Sequence, residues 1–502
     1  MDRDEILYHN REVLRGFEPA DVFRHFLEIC ARPHCTYHEK ALCDYIEAFA
    51  VAHGLPCMRD DLGNLILRRD ASPGLEGRPG LILQSHLDMV GETDRKDFDF
   101  VADPIALRLE GGSLYAEHTT LGADDGIGAA MILALLEDDT LPHPPLEAVF
   151  TVQEEVGQQG IRQLDMSSLR GRLLINLDHE TAGEYLVSCA GGIRVFPQMS
   201  APRPLDSGEG LCNYRLSVGG LQGGHSGTDI HKDRGNAIKI LGRLLSALFG
   251  RIPFRLASVR GGMKNNAIAR NCEAVIALEE SDVPTLRELF VQLSGQIAGE
   301  YRSREPGIRF SCETADAAAR CFRWEDTENI IRAMWLMPSG LVAKSAVFEG
   351  VTESSLNLGV IEGGNGRVRM EYLIRSSLNS AKYDMRDQVA ALAERFGFDD
   401  VQYGSDYPAW EYTIDPAVET CVRDVYRTCF GKEMKRTAIH GGVECCYARQ
   451  KLPWVDAISI GPDIFAPHGP AEHVDLASVR ETYRFLRALL TEIQKLPPRG
   501  SR

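Results

Sequence analysis

The chain has 502 residues, of which 44% are hydrophobic, so it is long enough for two or three domains with sizeable cores. Its formal net charge of −17 argues against binding to nucleic acid or to an anionic membrane surface, since both need basic patches. The 13 cysteines are scattered without a C-x-x-C pair, and the N-terminal residues lack the apolar core of a signal peptide. We therefore expect free thiols and a cytoplasmic protein.

Residues 1–190 alternate between helical and strand patterns. Apolar residues with helical spacing are found in three segments: 22–31, 39–53 and 127–136. Short, dense apolar runs, which are typical of strands buried on both faces, are found at 81–84, 146–152 and 173–176. This alternation predicts a three-layer α/β/α catalytic domain with a mostly parallel central sheet.

Residues 191–408 have a different order of elements. Between residues 214 and 313 the patterns follow one another as β-α-β-β-α-β, which is typical of a small ferredoxin-like unit. A similar order follows over residues 328–396, but no repeat of residues is visible, so only the topology suggests a duplication. Because the α/β pattern returns after Pro408, we predict a catalytic domain of residues 1–190 and 409–502, interrupted by an inserted ferredoxin-like α+β lid of residues 191–408.

Clusters of acidic and histidine residues lie at the ends of predicted strands. The first four contain His86 and Asp88; Asp124 and Asp125; Glu154 and Glu155; and Asp178, His179 and Glu180. A fifth cluster, APHGPAE, contains His468 and follows the strand predicted at 456–460. Ligands of open α/β sheets bind beyond the carboxyl ends of the strands, so these clusters could converge on one site.

The clusters contain the ligand types that a pair of zinc ions needs. Zinc binds histidine nitrogen and carboxylate oxygen, and two ions about 3.5–4 Å apart need one shared carboxylate plus separate ligands. The residues that could supply this set are His86, Asp124, Glu155, Asp178 and His468. Glu154 is then left free as a base. Adjacent glutamates on a regular strand point to opposite faces, so this pair needs an irregular strand end, which Gly157 and Gly160 make reasonable.

Taken singly, each cluster has a simpler explanation. Asp124 could cap the helix that follows it, because aspartate is favoured at that position. The Glu154–Glu155 pair and the segment 178–180 could be solvated, and His468 could be an ordinary loop histidine. Their joint occurrence, in order, favours the metal site.

The motifs SHLDMV, LGADDGIG, TVQEEVGQQG and LINLDHE resemble those of the co-catalytic zinc peptidase family that includes carboxypeptidase G, aminoacylases and carnosinases. Within it the chain is most similar to the bacterial aminoacyl-histidine dipeptidases, also called cytosol non-specific or beta-alanyl-histidine dipeptidases. The similarity continues through GGHSGTDIH, NNAIAR, SSLNLGVI, IHGGVECC and GPDIFAPHGPAEH, so it covers nearly the whole chain. It implies a zinc peptidase that cleaves dipeptides with broad preference, including Xaa-His dipeptides.

The resemblance also implies a role for each residue of the metal site. His86 and Asp178 would hold the first zinc ion, Glu155 and His468 the second, and Asp124 would bridge them. Cobalt or manganese could replace zinc, since both accept these ligands. Asp88 would orient His86, and Glu154 would be the general base and acid.

Further residues are assigned to the substrate by the same resemblance. His225, in GGHSG, would donate to the oxyanion, although a turn histidine would also suit this glycine-rich loop. Asn266 and Arg270 would contact the substrate, with Arg270 pairing with a terminal carboxylate unless it is a surface arginine. Glu444 would bind the substrate α-amino group.

The assembly and the exact reaction are less constrained by the sequence. A homodimer is expected because it is the commonest assembly of soluble enzymes, and His225 could act within its own chain or across the dimer. An N-acyl amino acid deacylase could use the same metal site. A metal-free binding protein on this fold would need neither the complete ligand set nor Glu154.

Overall fold

The computed structural model of the protein describes residues 2–318 and 320–496. Its α-helices are, in chain order, α1 (Arg3–Val13), α2 (Ala20–Cys30), α3 (Lys40–Ala52), α4 (Ala123–Glu137), α5 (Gln159–Gln163), α6 (Ala237–Phe249), α7 (Val283–Tyr301), α8 (Trp324–Leu336), α9 (Asn379–Arg395), α10 (Pro416–Phe430), α11 (Cys445–Lys451) and α12 (Leu476–Ile493). Two 3₁₀ helices are found at Ile230–Lys232 and Glu280–Asp282.

The strands are, in chain order, β1 (Cys57–Arg59), β2 (Leu65–Arg69), β3 (Leu81–His86), β4 (Leu107–Glu110), β5 (Ser113–Ala116), β6 (Leu146–Thr151), β7 (Leu173–Asn176), β8 (Glu184–Cys189), β9 (Gly191–Met199), β10 (Leu205–Ser207), β11 (Cys212–Gly219), β12 (Arg255–Gly262), β13 (Cys272–Leu278), β14 (Arg309–Thr314), β15 (Arg320–Phe322), β16 (Gly340–Lys344), β17 (Thr352–Gly364), β18 (Arg367–Ser376), β19 (Asp400–Tyr407), β20 (Lys435–Ile439), β21 (Asp456–Ser459), β22 (Ile464–Phe465) and β23 (His473–Asp475).

The chain forms two compact units. Among the described residues, the first comprises residues 2–188, 412–438 and 443–496, and the second comprises residues 189–318, 320–411 and 439–442. The sequence interpretation assigned residues 439–442 to the catalytic part, whereas the structure assigns them to the second unit. The reason is local bonding, because the carbonyl of Ile439 accepts a hydrogen bond from the backbone N–H of Ala190.

The first unit contains an eight-stranded sheet of order β1-β2-β6-β3-β7-β21-β8-β20. Its centre, β6-β3-β7-β21, is parallel, and every residue of these strands is buried. Three further pairs are antiparallel: β1 with β2, β2 with β6, and β8 with β21. The expected α/β fold is therefore confirmed, with antiparallel pairs beside the parallel centre of the sheet. Dense apolar runs predict only the strands that are buried on both faces.

A helix and a small sheet complete the surroundings of the site in the first unit. Helix α4 is buried over its first 14 residues because it packs on β3, α2 and α12. A separate four-stranded sheet has the order β22-β23-β5-β4. Its strands β22 and β23 form an antiparallel pair, and the loop between them carries His468.

The second unit is built on a nine-stranded sheet whose two halves have the same topology. The elements β11-α6-β12-β13-α7-β14 form one half, with the antiparallel order β14-β11-β13-β12. The elements β9-α8-β17-β18-α9-β19 form the other, with the equivalent order β19-β9-β18-β17. The halves join where β12 pairs with β17, and helices α6 to α9 contribute to one core. The suspected duplication is thus present in the topology, with β9 as a first strand that the sequence interpretation did not include.

Two further properties of the described residues bear on the setting of the protein. Within residues 2–318 and 320–496, no helix combines the length and the apolar character that crossing a membrane requires. The 13 cysteines all lie in these ranges and are free thiols.

Candidate metal centre

The first group of site residues surrounds the ring of His86. This histidine ends β3 and is buried. Its Nε2 atom lies 3.0 Å from Oδ1 of Asp124 and 3.3 Å from Oδ1 of Asp178. Asp178 follows β7, the parallel neighbour of β3, so adjacent strand ends bring these two residues together. Asp124 was expected at a strand end but lies in the first turn of α4.

The second group surrounds the ring of His468. Its Nε2 atom lies 3.2 Å from Oδ2 of Asp124 and 3.1 Å from Oε2 of Glu155. Asp124 therefore presents one carboxylate oxygen to each histidine. The result is two separate groups of nitrogen and oxygen donors that share a single carboxylate.

The donor set fits divalent metal ions. Ligand atoms of His86, Asp124 and Glu155 all lie within 4.8 Å of one another. Burial raises the pKa of Asp178 well above its usual range, and contacts with Asp124 and Glu155 raise the pKa of His468 to about 11. The buried Oε1 atom of Glu155 has no hydrogen-bond partner among the described residues. Three carboxylates and two imidazoles in one place match the preferences of zinc and related ions.

The segment after β6 has an irregular backbone. Such an irregularity is needed for the adjacent residues Glu154 and Glu155 to face the same site. The strand ends at Thr151, and Gln153 has a left-handed backbone with φ of 56°. Glu155 contacts His468, whereas no contact between Glu154 and a histidine is found among the described residues. Burial raises the pKa of Glu154 to about 8, and the nearby carboxylate of Glu444 acts in the same direction.

Asp88 supports this segment in a way that the sequence interpretation did not foresee. Its Oδ1 accepts a hydrogen bond of 2.8 Å from the backbone N–H of Glu154, and its Oδ2 accepts one of 3.2 Å from that of Glu155. The ring of His86 is instead hydrogen-bonded through Nδ1 to the backbone carbonyl of Asp88, at 2.8 Å. Oδ1 of Asp88, the residue expected to orient His86, lies farther from the same Nδ1 atom, at 3.7 Å. The carbonyl bond leaves Nε2 free for a metal.

Glu444 lies immediately before α11 and is fully buried. Its Oε2 accepts hydrogen bonds from Oγ1 of Thr151, at 2.6 Å, and from the side-chain amide of Gln84. Its Oε1 has no partner among the described residues, and burial raises the pKa of this carboxyl to about 7. One oxygen is thus held by the protein and the other is free to accept from a ligand.

The second unit brings the motifs of His225 and Asn266 together. The backbone N–H of Ser226 donates to the carbonyl of Asn266, at 2.8 Å. Gly223 has φ of 65°, and a Cβ atom there would lie only 2.3 Å from Cγ of Arg270, so only glycine fits. His225 and Asn266 are therefore neighbours. Arg270 lies beside them, exposed, with Nε donating to the carbonyl of Leu221.

A buried arginine and histidine of the second unit were missed by the sequence interpretation. Arg375 is buried in β18, with Nη1 donating to the hydroxyl of Tyr407 and Nε lacking a partner among the described residues. His440 has its Nε2 atom 2.7 Å from Oγ of Ser355. Partial burial and the charge of Arg375 lower the pKa of His225, and the same two causes lower that of His440 to about 3. An arginine at the end of the apolar run EYLIRS was the available signal.

The chain matches the model of peptidase family M20/M25/M40 over residues 82–492. It is 36% identical to the cytosol non-specific dipeptidase of Escherichia coli (strain K12), over 96% of this chain and 99% of that protein.

Solved structures are similar over almost the whole chain. The crystal structure of aminoacylhistidine dipeptidase from Vibrio alginolyticus has a TM-score of 0.88 and 35% identity, covering 95% of this chain and 97% of that one. The aminopeptidase PepT structure from Bacillus cereus ATCC 10987 shares the fold, with a TM-score of 0.56 and 15% identity over 95% of this chain and 100% of that one. The family model matches most of the chain, and the E. coli relative aligns with nearly all of it. The chain therefore belongs to peptidase family M20/M25/M40.

Proposed function

We propose that the chain hydrolyses dipeptides by means of two divalent metal ions. The observation that carries the proposal is the position of Asp124, whose Oδ1 is 3.0 Å from Nε2 of His86 and whose Oδ2 is 3.2 Å from that of His468. One carboxylate between two separate donor groups is the arrangement that a metal pair requires. The similar proteins from E. coli and Vibrio alginolyticus are both named as dipeptidases, which supports this substrate class.

The ligands divide between two metal positions. His86 and Asp178 would hold the first ion, Glu155 and His468 would hold the second, and Asp124 would bridge them. We propose zinc, and cobalt or manganese could substitute because they accept the same donors. When bound, such ions lower the pKa of water and polarise the carbonyl group of the substrate.

Glu154 is the proposed general base and acid. Its backbone is fixed by Asp88, and its carboxyl group is not used as a ligand. It would accept a proton from the attacking water and deliver it to the amine nitrogen as the C–N bond breaks.

Substrate contacts are proposed in both units. The free Oε1 of Glu444 would accept a hydrogen bond from the α-amino group. In the second unit, which we propose acts as a lid, His225 would donate to the oxyanion and Asn266 would contact the peptide. Arg270 would pair with the terminal carboxylate, and the unpaired Nε of Arg375 makes it a second candidate for that role. A broad preference that includes Xaa-His dipeptides remains part of the proposal.

The setting and assembly are also proposed. Free cysteines and the cytosolic designation of the E. coli relative support a cytoplasmic protein. A homodimer is proposed because it is the commonest assembly of soluble enzymes.

The decisive experiment is an assay of the purified chain on dipeptides, tripeptides and N-acetyl amino acids. Cleavage of dipeptides should dominate, should stop after treatment with a chelator, and should return when zinc, cobalt or manganese is added. Preferential hydrolysis of N-acetyl amino acids would make the chain a deacylase instead. Full activity of a chain freed of metal would contradict the proposed centre.

A further inference from the structure

Glu472 lies in the same loop as His468, between β22 and β23. Its side chain is fully buried. Its two oxygens accept hydrogen bonds from four consecutive backbone N–H groups, those of Leu121 (2.8 Å), Gly122 (3.0 Å), Ala123 (2.8 Å) and Asp124 (3.2 Å). The carboxylate of Glu472 thus holds the backbone of residues 121–124, which ends in the proposed bridging residue Asp124.

The segment needs such support because its own helix does not fix it. The first N–H groups of a helix have no partner within the helix, and a carboxylate at this end is favourable. Asp124 also departs from helical geometry, with φ of −82° and ψ of 105°. Its backbone is therefore placed by the contact with Glu472 rather than by helical hydrogen bonding.

The same contact ties Asp124 to the loop of His468. The backbone N–H of Glu472 donates to the carbonyl of Gly469, at 3.0 Å, in a turn directly after His468. His468 has a left-handed backbone with φ of 64°, so its position depends on this loop and not on a regular strand. Glu472 joins two parts of the chain that each carry a site residue.

We propose that Glu472 is a positioning residue that sets the distance between Asp124 and His468, and thereby the affinity of the second metal position. This inference rests on the proposed metal centre. Both oxygens of Glu472 are used by N–H groups, so we do not count it as a ligand. The first position depends less on it, because His86 and Asp178 are carried by the paired strands β3 and β7.

Two substitutions separate position from charge. In Glu472→Gln, the amide NH₂ would face backbone N–H donors that now lack an acceptor, and the negative charge is lost. In Glu472→Asp, the charge remains but the shorter side chain cannot reach all four N–H groups. Because removing a group that orients a metal ligand typically costs 10–100-fold, we expect both variants to bind the second ion roughly 10–100-fold more weakly, with the first ion retained.

Metal binding is measured directly, by chelator competition and by the visible spectrum of the cobalt-loaded chain. The matched control is Glu147→Gln, since Glu147 is also buried and accepts the backbone N–H groups of Arg170 and Gly171, but at the start of β6 and away from the site. This control should bind both ions normally. Thermal unfolding of the metal-free variants reports any general loss of stability, and KM at saturating metal should stay unchanged.

Several outcomes would overturn the inference. The first is normal binding of both ions by Glu472→Gln. The second is an equally weakened binding of both ions together with a lower thermal stability, in either variant. The third is a normal metal affinity of Glu472→Asp, which would indicate that only the charge of Glu472 matters. A wild-type chain that does not bind two ions would overturn the proposed metal centre, and this inference with it.

Discussion

The carboxylate of Asp88 accepts the backbone N–H of Glu154 at 2.8 Å, so a side chain next to one candidate ligand holds the backbone of the proposed base. The carbonyl of the same residue orients His86. Asp88 therefore serves two strand ends at once, β3 through its carbonyl and β6 through its carboxylate. Its loss should affect the base more than the metals.

We expect Asp88→Asn to lower kcat by roughly 10–100-fold while two metal ions stay bound, because the amide removes one acceptor but leaves the carbonyl in place. Steady-state kinetics and metal analysis of the purified variant check this. Asp165→Asn is the control, since Asp165 accepts a backbone N–H from Ser167 in an exposed loop. Loss of a metal ion in Asp88→Asn would show that the carboxylate supports the ligands instead.

Glu154→Gln should reduce turnover by at least about 10²–10⁴-fold, the usual contribution of a general acid–base group, without loss of metal. The neighbouring change Glu155→Gln should instead cost one ion, because Glu155 contacts His468. Elemental analysis of both variants separates the two roles. If the metal were lost from Glu154→Gln and kept by Glu155→Gln, the pair would be assigned the wrong way round.

Asp124→Ala should weaken both metal positions together, since each carboxylate oxygen faces a different histidine. His86→Ala should mainly weaken the first. Titration of the two metal-free variants with zinc or cobalt gives the number of ions and their affinities. Two ions bound normally by Asp124→Ala would exclude the bridging role.

His225→Ala should lower kcat by about 10²–10³-fold, as expected for the loss of one oxyanion donor, with metal content intact. His231→Ala, in the same GGHSGTDIH motif, is the matched control and should retain activity. Steady-state kinetics of both variants with one efficiently cleaved dipeptide check this prediction. If the loss appeared in His231→Ala and not in His225→Ala, the donor would be the other histidine of the motif.

Mixing Glu154→Gln chains with His225→Ala chains tests whether His225 acts across a dimer. Each variant alone is expected to be nearly inactive, and donation between chains would restore activity in mixed dimers. Native mass spectrometry should verify that the subunits have exchanged. No recovery in verified mixed dimers would indicate that each chain uses its own His225, and a monomer in solution would exclude the dimer itself.

The residues of the proposed centre were found from the sequence because they lie next to strong local patterns. His86, Glu155 and Asp178 come at or after apolar runs that are buried on both faces, and such runs identify central strands without knowledge of their partners. Parallel strands then bring their carboxyl ends to one edge. The cluster around His468 was found because it follows the strand predicted at 456–460, whereas the two small strands on either side of it are too short to be recognised.

What the sequence did not predict depends on partners far along the chain. Strand β9 pairs with β18 and β19, and its apolar pattern does not reveal them. The buried position of Arg375 also follows from that sheet, as does its bond to Tyr407. The two uses of Asp88 could not be foreseen, because a sequence does not distinguish a carbonyl contact from a carboxylate contact.

The order of strands in the second unit has a consequence for how a new chain matures. Residues 212–314 contain one complete half of the sheet, so its strands can pair as soon as this stretch has left the ribosome. Strand β9 is synthesised before that stretch, but its partners β18 and β19 come after it. The backbone groups of β9 therefore stay unpaired until β18 and β19 have been synthesised. Unpaired strand edges of this kind promote aggregation of nascent chains. The same ribosomal order delivers His468 after every other proposed metal ligand, so the proposed metal centre can form only after His468 has been synthesised.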